Sequence, residues 1–380
     1  MYTYTVDISV IFESGGLNMK LKEMPKLVIG ELVAKLPIIQ GGMGIGVSLS
    51  SLASAVGNAG GIGVISAAGM GFDRPGYKSN PIETSIQALR EEIRKAKELT
   101  RGVVGVNIMV ALSNFADMVK TSISEKIDVI FAGAGLPLDL PAYLTEGVKT
   151  KLVPIISSAR AAELIAKKWV SKYNYVPDAF VVEGPKAGGH LGFKKDELSE
   201  HEYTLEELIP KVVSKVSELE DQYGKKIPVI AAGGIYTGED IYKFLQMGAS
   251  GVQMGTRFVA TEECDASIEF KQSYVDCKEE DIVIIKSPVG LPGRALKNSF
   301  IEASEEGKKH PFHCPYQCIK TCEHEKSPYC IALALMNAQK GNFKNGFAFV
   351  GQNGYRVTEI TTVQKLMDSL QEEFENAVIY

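Results

Sequence analysis

Eight short runs rich in Val, Ile and Gly recur between Leu36 and Phe258, separated by longer amphipathic stretches, and this rhythm constrains the fold more than any other feature. The runs are PIIQGGM (37–43), GIGVISA (61–67), VVGVNIM (103–109), DVIFAGAG (128–135), LVPIIS (152–157), DAFVVEG (178–184), PVIAAGGI (228–235) and GVQMGTRF (251–258). Apolar runs of this length, without regular polar alternation, read as parallel strands buried on both faces. Between them SIQALREEIRKAKEL (85–99) and LEELIPKVVSKVSEL (205–219) place apolar residues at helical spacing. An open doubly wound sheet uses the same units, but a count of eight favours a closed parallel (β/α)8 barrel. Such a barrel carries its site at the C-terminal strand ends. The unusual residues gather there: residues 40–43, Asn107, residues 133–135, 183–190, 233–234 and 253–256.

After the eighth run the rhythm stops, and residues 260–345 are richer in charge, Cys, Pro and Lys. The expected organisation is an N-terminal extension and lead-in (1–35), a barrel (36–259), a smaller, mainly helical, cysteine-rich insertion (260–345), and a final barrel segment and helix (346–380). Met19 opens a more ordinary start than Met1, so residues 1–18 are expected to add little to the fold.

With 45% hydrophobic and 23% charged residues, the 380-residue chain has the composition of a globular protein. Its 41 basic and 46 acidic residues are scattered, which argues against nucleic acid and for a small-molecule substrate. The sequence contains no apolar run of about 18 residues and no basic region ahead of the short apolar opening, so no membrane span is expected and the cytoplasm is the default location.

Two residue pairs at strand ends, one Gly-Gly and one Gly-Thr, point to a phosphate. Gly233-Gly234 ends the seventh run and Gly255-Thr256 closes the eighth, the pair of loops that forms the usual phosphate site of such barrels. A Cβ there would hold a phosphate away from the backbone amides, and Thr256 adds a hydroxyl donor. After the first run there is no G-x-G-x-x-G with a downstream acid, which argues against a Rossmann site. FMN or a phosphorylated substrate suits the barrel site, whereas pyridoxal phosphate would need a strand-end lysine, for which Lys186 is the only candidate.

The sixth run leads through VVEGPKAGGH to His190, one of five histidines in the chain. An imidazole overhanging the barrel mouth, behind Gly188 and Gly189 that let the chain pass close to a flat ligand, can serve as acid or base near neutral pH. His201 falls in a charged loop, and His310, His313 and His324 in the insertion. No Ser-His-Asp or paired-carboxylate pattern supports hydrolysis.

Taken together, IIQGGMGIGVS, GVNIMV, EGPKAGGHLG, PVIAAGGI, GASGVQMGTRF and GQNGYRV resemble the FMN-dependent nitronate monooxygenases, formerly called 2-nitropropane dioxygenases. They also resemble a close relative of that family, the flavin-containing enoyl-acyl-carrier-protein reductase. The resemblance implies a TIM-type barrel with a smaller domain after strand eight and FMN as cofactor. It implies that Gly41, Gly42 and Met43 lie against the flavin, that Asn107 hydrogen-bonds it, and that Glu183 stands near the isoalloxazine. Gly188 matches the first glycine of the family's AGGH motif, Gly233 and Gly234 with Gln253, Met254, Gly255 and Thr256 hold the phosphate, and His190 is the catalytic histidine. Where the family has Glu before AGGH, this chain has Lys186.

Three activities follow as expectations: oxidation of alkyl nitronates with dioxygen; reduction of an enoyl thioester with NAD(P)H as co-substrate; and a non-catalytic flavin- or metal-binding protein that docks a partner. A homodimer, and an acyl carrier protein in the reductase reading, are the candidate macromolecular partners.

Four of six cysteines, Cys314, Cys318, Cys322 and Cys330, crowd into HCPYQCIKTCEHEKSPYC. On a helix the first three would share a face. Three readings stay open: buried small apolar residues, ligands of zinc or an iron-sulfur cluster with His313 or His324 as substitutes, or redox-active thiols. The spacing lacks the C-x-x-C pair of strong zinc motifs. In SPVGLPGRALKN (287–298), Arg294 and Lys297 are candidates for an anionic ligand, with a solvated face as the expected role.

Overall fold

The structure, a computed structural model, describes residues 23–379 apart from 312 and 315. The expected extension over residues 1–18 lies outside them. The described chain opens on a hairpin, β1 (Leu27–Ile29) and β2 (Leu32–Ala34). Eight strands then close into a parallel barrel: β3 (Ile38–Gln40), β4 (Ile62–Ser66), β5 (Val103–Met109), β6 (Val129–Gly133), β7 (Lys151–Ile156), β8 (Phe180–Glu183) and, after the short strand β9 (Gly189–His190), β10 (Val229–Ala232) and β11 (Gly251–Met254). Register closes between β11 and β3, where Gln253 stands opposite Ile39.

Two apolar layers explain the near-continuous hydrophobic runs. Ile39, Val64, Phe131, Val153, Val181 and Ile230 point into the barrel, while Val106, Ile130, Val182 and Val252 point at the surrounding helices. Leu27, Ile29 and Ala34 of the hairpin belong to the inner layer, so the hairpin stops the end opposite the mouth.

The helices follow the strands in turn: α1 (Ser50–Asn58), α2 (Pro81–Leu99), α3 (Phe115–Ser124), α4 (Ala159–Tyr173), α5 (Leu205–Tyr223), α6 (Gly238–Gln246) and the short α7 (Thr256–Val259). Local chemistry sets their ends. Pro81 starts α2 where no amide donor is needed, Gly224 ends α5 at φ 66°, and Thr237 and Asp240 cap α6 reciprocally. After β6 the expected helix is replaced by a 3-10 turn, Leu140–Tyr143. Pro137 and Pro141 remove amide donors there.

The segment after α7 holds α8 (Ile268–Val275), β12 (Ile282–Lys286), β13 (Pro292–Leu296), α9 (Ser299–Glu305) and α10 (Ile331–Gln339). It is therefore helical only in part. The β-branched run Ile282–Lys286 forms a hairpin with β13, and β13 pairs with β9, placing Gly293 opposite His190. The barrel strand end that carries His190 is thus a strand of the insertion's sheet. The last helix, α11 (Val363–Ile379), returns to pack on α6 and α1. It approaches so closely that a Cβ on Gly238 would fall 2.2 Å from the Leu370 carbonyl oxygen. No described helix is long and apolar enough to cross a membrane.

Candidate functional site

The C-terminal strand ends surround a cavity of about 530 Å³, within the usual size of small-molecule and cofactor sites. The residues expected at the mouth all line it: Gly41, Gly42 and Met43 after β3, Asn107 on β5, Glu183 at the end of β8, Gly188 and His190 beyond it, Gly233 and Gly234 after β10, and Gln253, Met254, Gly255 and Thr256 at the end of β11. Lys186 is exposed at the rim.

Glycine is needed here for two reasons. Gly233 and Gly234 adopt φ of 92° and 96°, and a Cβ on Gly234 would fall 2.8 Å from the Lys186 Cβ. Gly188 differs from the expectation of a ligand passing over it. A Cβ at Gly188 would fall 2.6 Å from the Val350 carbonyl carbon and 2.7 Å from the Gly351 nitrogen, so this glycine is required by backbone packed on backbone. Residues 350–353 are therefore part of the mouth. The Gln352 amide donates to the Lys186 carbonyl at 3.1 Å, and the Asn353 side chain donates to the Gly234 carbonyl at 2.6 Å.

His190 is fixed from two sides. Its Nε2 lies 2.7 Å from the Ser287 hydroxyl, and its ring meets the Phe349 ring edge-to-face at 4.9 Å. Tyr274 steadies that wall by donating its hydroxyl to the Phe349 carbonyl. Burial lowers the imidazole to about 4, so His190 is neutral at neutral pH. Burial acts in the opposite direction on the carboxyl of Glu183 and raises it to about 7. The mouth thus holds a neutral base and a carboxyl poised to exchange protons near neutrality. Across the barrel, Gln253 Oε1 is buried without a hydrogen-bond partner among the described residues. A buried acceptor of this kind costs stability unless a ligand satisfies it.

Arg294 corrects the expectation of a solvated or anion-binding residue. It is 5% exposed, and its Nη1 donates to the carbonyls of both Pro185 and Ala187 at 2.6 Å. The guanidinium of β13 thereby holds the loop between β8 and β9 from below. Lys297 stays half-exposed and pairs with Glu302 at 3.4 Å. Sequence reasoning missed Ser287 and Phe349 because Ser287 comes from the insertion and Phe349 from the final segment just beyond it. Their only signals were the SPVGLPGRALKN segment, which Ser287 opens, and the GQNGYRV segment just after Phe349, which belongs to the resemblance.

The cysteine segment also departs from expectation. The described residues between 314 and 322 form no helix, because their backbone bonds elsewhere: the Ser113 amide donates to the Cys318 carbonyl and the Lys320 amide to the Ala111 carbonyl, both at 3.0 Å. Gln317 sits at φ 44°, outside helical geometry. All four thiols are free and partly buried, and only Cys318 lines the cavity. Among the described residues, no three His, Cys, Asp or Glu side chains converge on a point where one metal ion would sit.

A parallel barrel with glycine-bearing loops after its last two strands and a histidine over its mouth is the layout of a phosphate-binding barrel enzyme, and the family match makes it an oxidoreductase. The family model described as nitronate monooxygenase matches residues 26–373, and the chain belongs to that family. It is 31% identical over 273 residues to the (3aS,4S,5R,7aS)-5-hydroxy-7a-methyl-1-oxo-octahydro-1H-indene-4-carboxyl-CoA dehydrogenase of Mycobacterium tuberculosis, a match covering 72% of this chain and 66% of that relative. It is 28% identical to a probable nitronate monooxygenase of Staphylococcus saprophyticus, over 73% of this chain and 80% of the relative. Among solved structures, FabK from Thermotoga maritima superposes with a TM-score of 0.70 at 30% identity, covering 91% of this chain and 94% of FabK. The protein is therefore an enzyme, and the reading as a non-catalytic docking protein falls away.

Proposed function

We propose that this enzyme binds FMN at the barrel mouth and oxidises alkyl nitronates with dioxygen. The observation that carries the reading is the neutral, tightly held imidazole of His190 on a cavity wall that also holds the orphaned Gln253 acceptor and the glycine-bearing loops after β10 and β11. The residues fit the cofactor. Gly233, Gly234, Gly255 and Thr256 would take the phosphate, with the ammonium of Lys186 at the rim adding positive charge. Gly41, Gly42, Met43, Asn107 and Glu183 would take the ring, and Gln253 Oε1 would accept from a polar hydrogen of the bound group. FMN supplies a ring that accepts electrons from the substrate and returns them to dioxygen.

The chain's own part is binding, orientation and proton control. The Ser287 hydroxyl and the Phe349 ring hold the imidazole in one orientation. A neutral imidazole can donate to a nitronate oxygen through N–H, or take the α-proton of the parent nitroalkane on its free nitrogen. Leu112, Val289 and Leu291 line the cavity and limit water around the reacting anion.

A second reading is reduction of an enoyl thioester by NAD(P)H, with an acyl carrier protein delivering the substrate. The likeness to FabK over 91% of the chain and the coenzyme A thioester in the mycobacterial relative's name favour it. The test is an anaerobic titration of the purified yellow protein. Bleaching of the flavin by propyl-2-nitronate but not by NADPH supports the first reading. Bleaching by NADPH alone overturns it in favour of the second, and a colourless chain that FMN cannot reconstitute overturns both.

A further inference from the structure

Ser287 opens the turn between β12 and β13, and each of its polar groups has a place to go. Its amide donates to the Leu291 carbonyl at 3.1 Å, and its carbonyl accepts from the Gly290 amide at 3.0 Å. Its Oγ accepts from the Val289 amide at 3.4 Å, the pattern of a serine whose side chain folds back on a turn. One group is left, the hydroxyl hydrogen. Ser287 is 3% exposed, and among the described residues the acceptor within reach is His190 Nε2 at 2.7 Å.

A neutral imidazole has two tautomers, and they are not equal against this partner. With the proton on Nδ1, Nε2 is a bare acceptor that takes the serine hydrogen, and both groups are satisfied. With the proton on Nε2, the serine oxygen receives donors from both the ring and Val289, and its own hydrogen is stranded in a buried position. A stranded donor of this kind disfavours that tautomer by about 5- to 150-fold. Phe349, packed edge-to-face on the ring at 4.9 Å, holds it in the orientation that makes the contact. Nδ1 has no hydrogen-bond partner among the described residues, and His190 lines the cavity, so Nδ1 is the nitrogen left for a ligand.

We infer that Ser287 is a positioning residue that fixes His190 in the Nδ1–H tautomer, so that the imidazole offers the substrate a hydrogen-bond donor rather than a base. The site then selects a substrate that arrives with its electron-rich oxygen already formed. That is a nitronate anion, not its parent nitroalkane, whose α-proton needs a bare ring nitrogen. The choice between these two rests on the nitronate reading above. The tautomer does not, since a thioester carbonyl oxygen would meet the same donor.

The test is NMR of the full-length, flavin-loaded protein carrying 15N-labelled histidine rings near neutral pH, with His190→Asn identifying the signals of His190. Nε2 couples strongly to both ring C–H protons and Nδ1 to one, which tells the nitrogens apart. The expected spectrum has an unprotonated Nε2 and a protonated Nδ1. Ser287→Ala should shift the tautomer ratio toward Nε2–H by about fivefold or more, while Ser287→Thr, which keeps the hydroxyl, should restore the parent ratio. Circular dichroism identifies a variant that fails to fold, and the unaltered protein reads out the tautomer without variants. In turnover, freshly dissolved 2-nitropropane, its α-proton still in place, should react at least about fivefold more slowly than propyl-2-nitronate. A protonated Nε2 in the unaltered protein, an unchanged ratio in folded Ser287→Ala, or equal rates on the two substrates would each overturn the assignment. If neither substrate reacts while Nδ1 carries the proton, the nitronate reading fails and the tautomer stands.

Discussion

Replacing Glu183 by Gln should stabilise the flavin-free protein in a way that depends on pH. The substitution keeps the shape of the side chain at the end of β8 and removes its proton equilibrium. Burial raises this carboxyl from 4.5 to about 7. Between those values the unfolded chain ionises Glu183 while the folded chain keeps it protonated, so stability falls as pH rises through the window and stays reduced above it. At 1.36 kcal/mol per pH unit the loss is about 3 kcal/mol.

His190 works in the opposite direction. Burial lowers it from 6.5 to about 4, so the unfolded chain binds the extra proton and stability rises across that window. In the parent protein the two slopes largely cancel between pH 4.5 and 6.5. In Glu183→Gln only the rise should remain. Urea unfolding of both proteins, followed through the single buried tryptophan Trp169, should give equal pH trends at low pH and a gap that opens to about 3 kcal/mol in favour of Gln at about pH 8. A gap of the same size at about pH 4.5 and pH 8 would refute the reasoning.

His190→Asn should leave flavin bound and lower turnover by about 10²- to 10⁴-fold; unchanged steady-state rates would remove His190 from proton control. Gly188→Ala places a Cβ against the Val350–Gly351 backbone and should cost about 1–3 kcal/mol in chemical denaturation. Gly189→Ala meets open space at φ 82° and should cost only the backbone strain, about 1 kcal/mol; the reverse order would contradict the packing. Gln253→Leu removes the orphaned acceptor, so the flavin-free protein should be no less stable, while FMN dissociation measured by fluorescence should weaken by about three- to tenfold.

Strand count, closure and the ring of mouth residues were legible because each rests on local chemistry. Apolar runs such as DVIFAGAG have one stable environment, and glycines that end strands mark close approaches wherever they occur. Gly188 shows the limit of that reading. Its lack of a side chain was visible, but the partner that demands it, the Val350–Gly351 backbone, is more than 150 residues away. Ser287 was hidden for the same reason, being 97 residues from the imidazole it meets. Arg294 was read as a surface charge because burial of a guanidinium without a carboxylate is unusual; two carbonyls take the place of the carboxylate. The cysteine spacing suggested a helix, but the backbone pairing with residues 111–113 decided otherwise.

Recombination between relatives meets an obstacle at Arg294. The donor sits on β13, and the two carbonyls that receive it belong to the loop between β8 and β9, more than 100 residues earlier in the chain. A chimera that takes the segment after α7 from a parent without this arginine inherits a loop with two carbonyls deprived of their donor, beneath the lysine at the rim. The two segments are therefore one heritable unit despite their separation. A crossover that moves both together keeps the mouth intact, and one that falls between them does not.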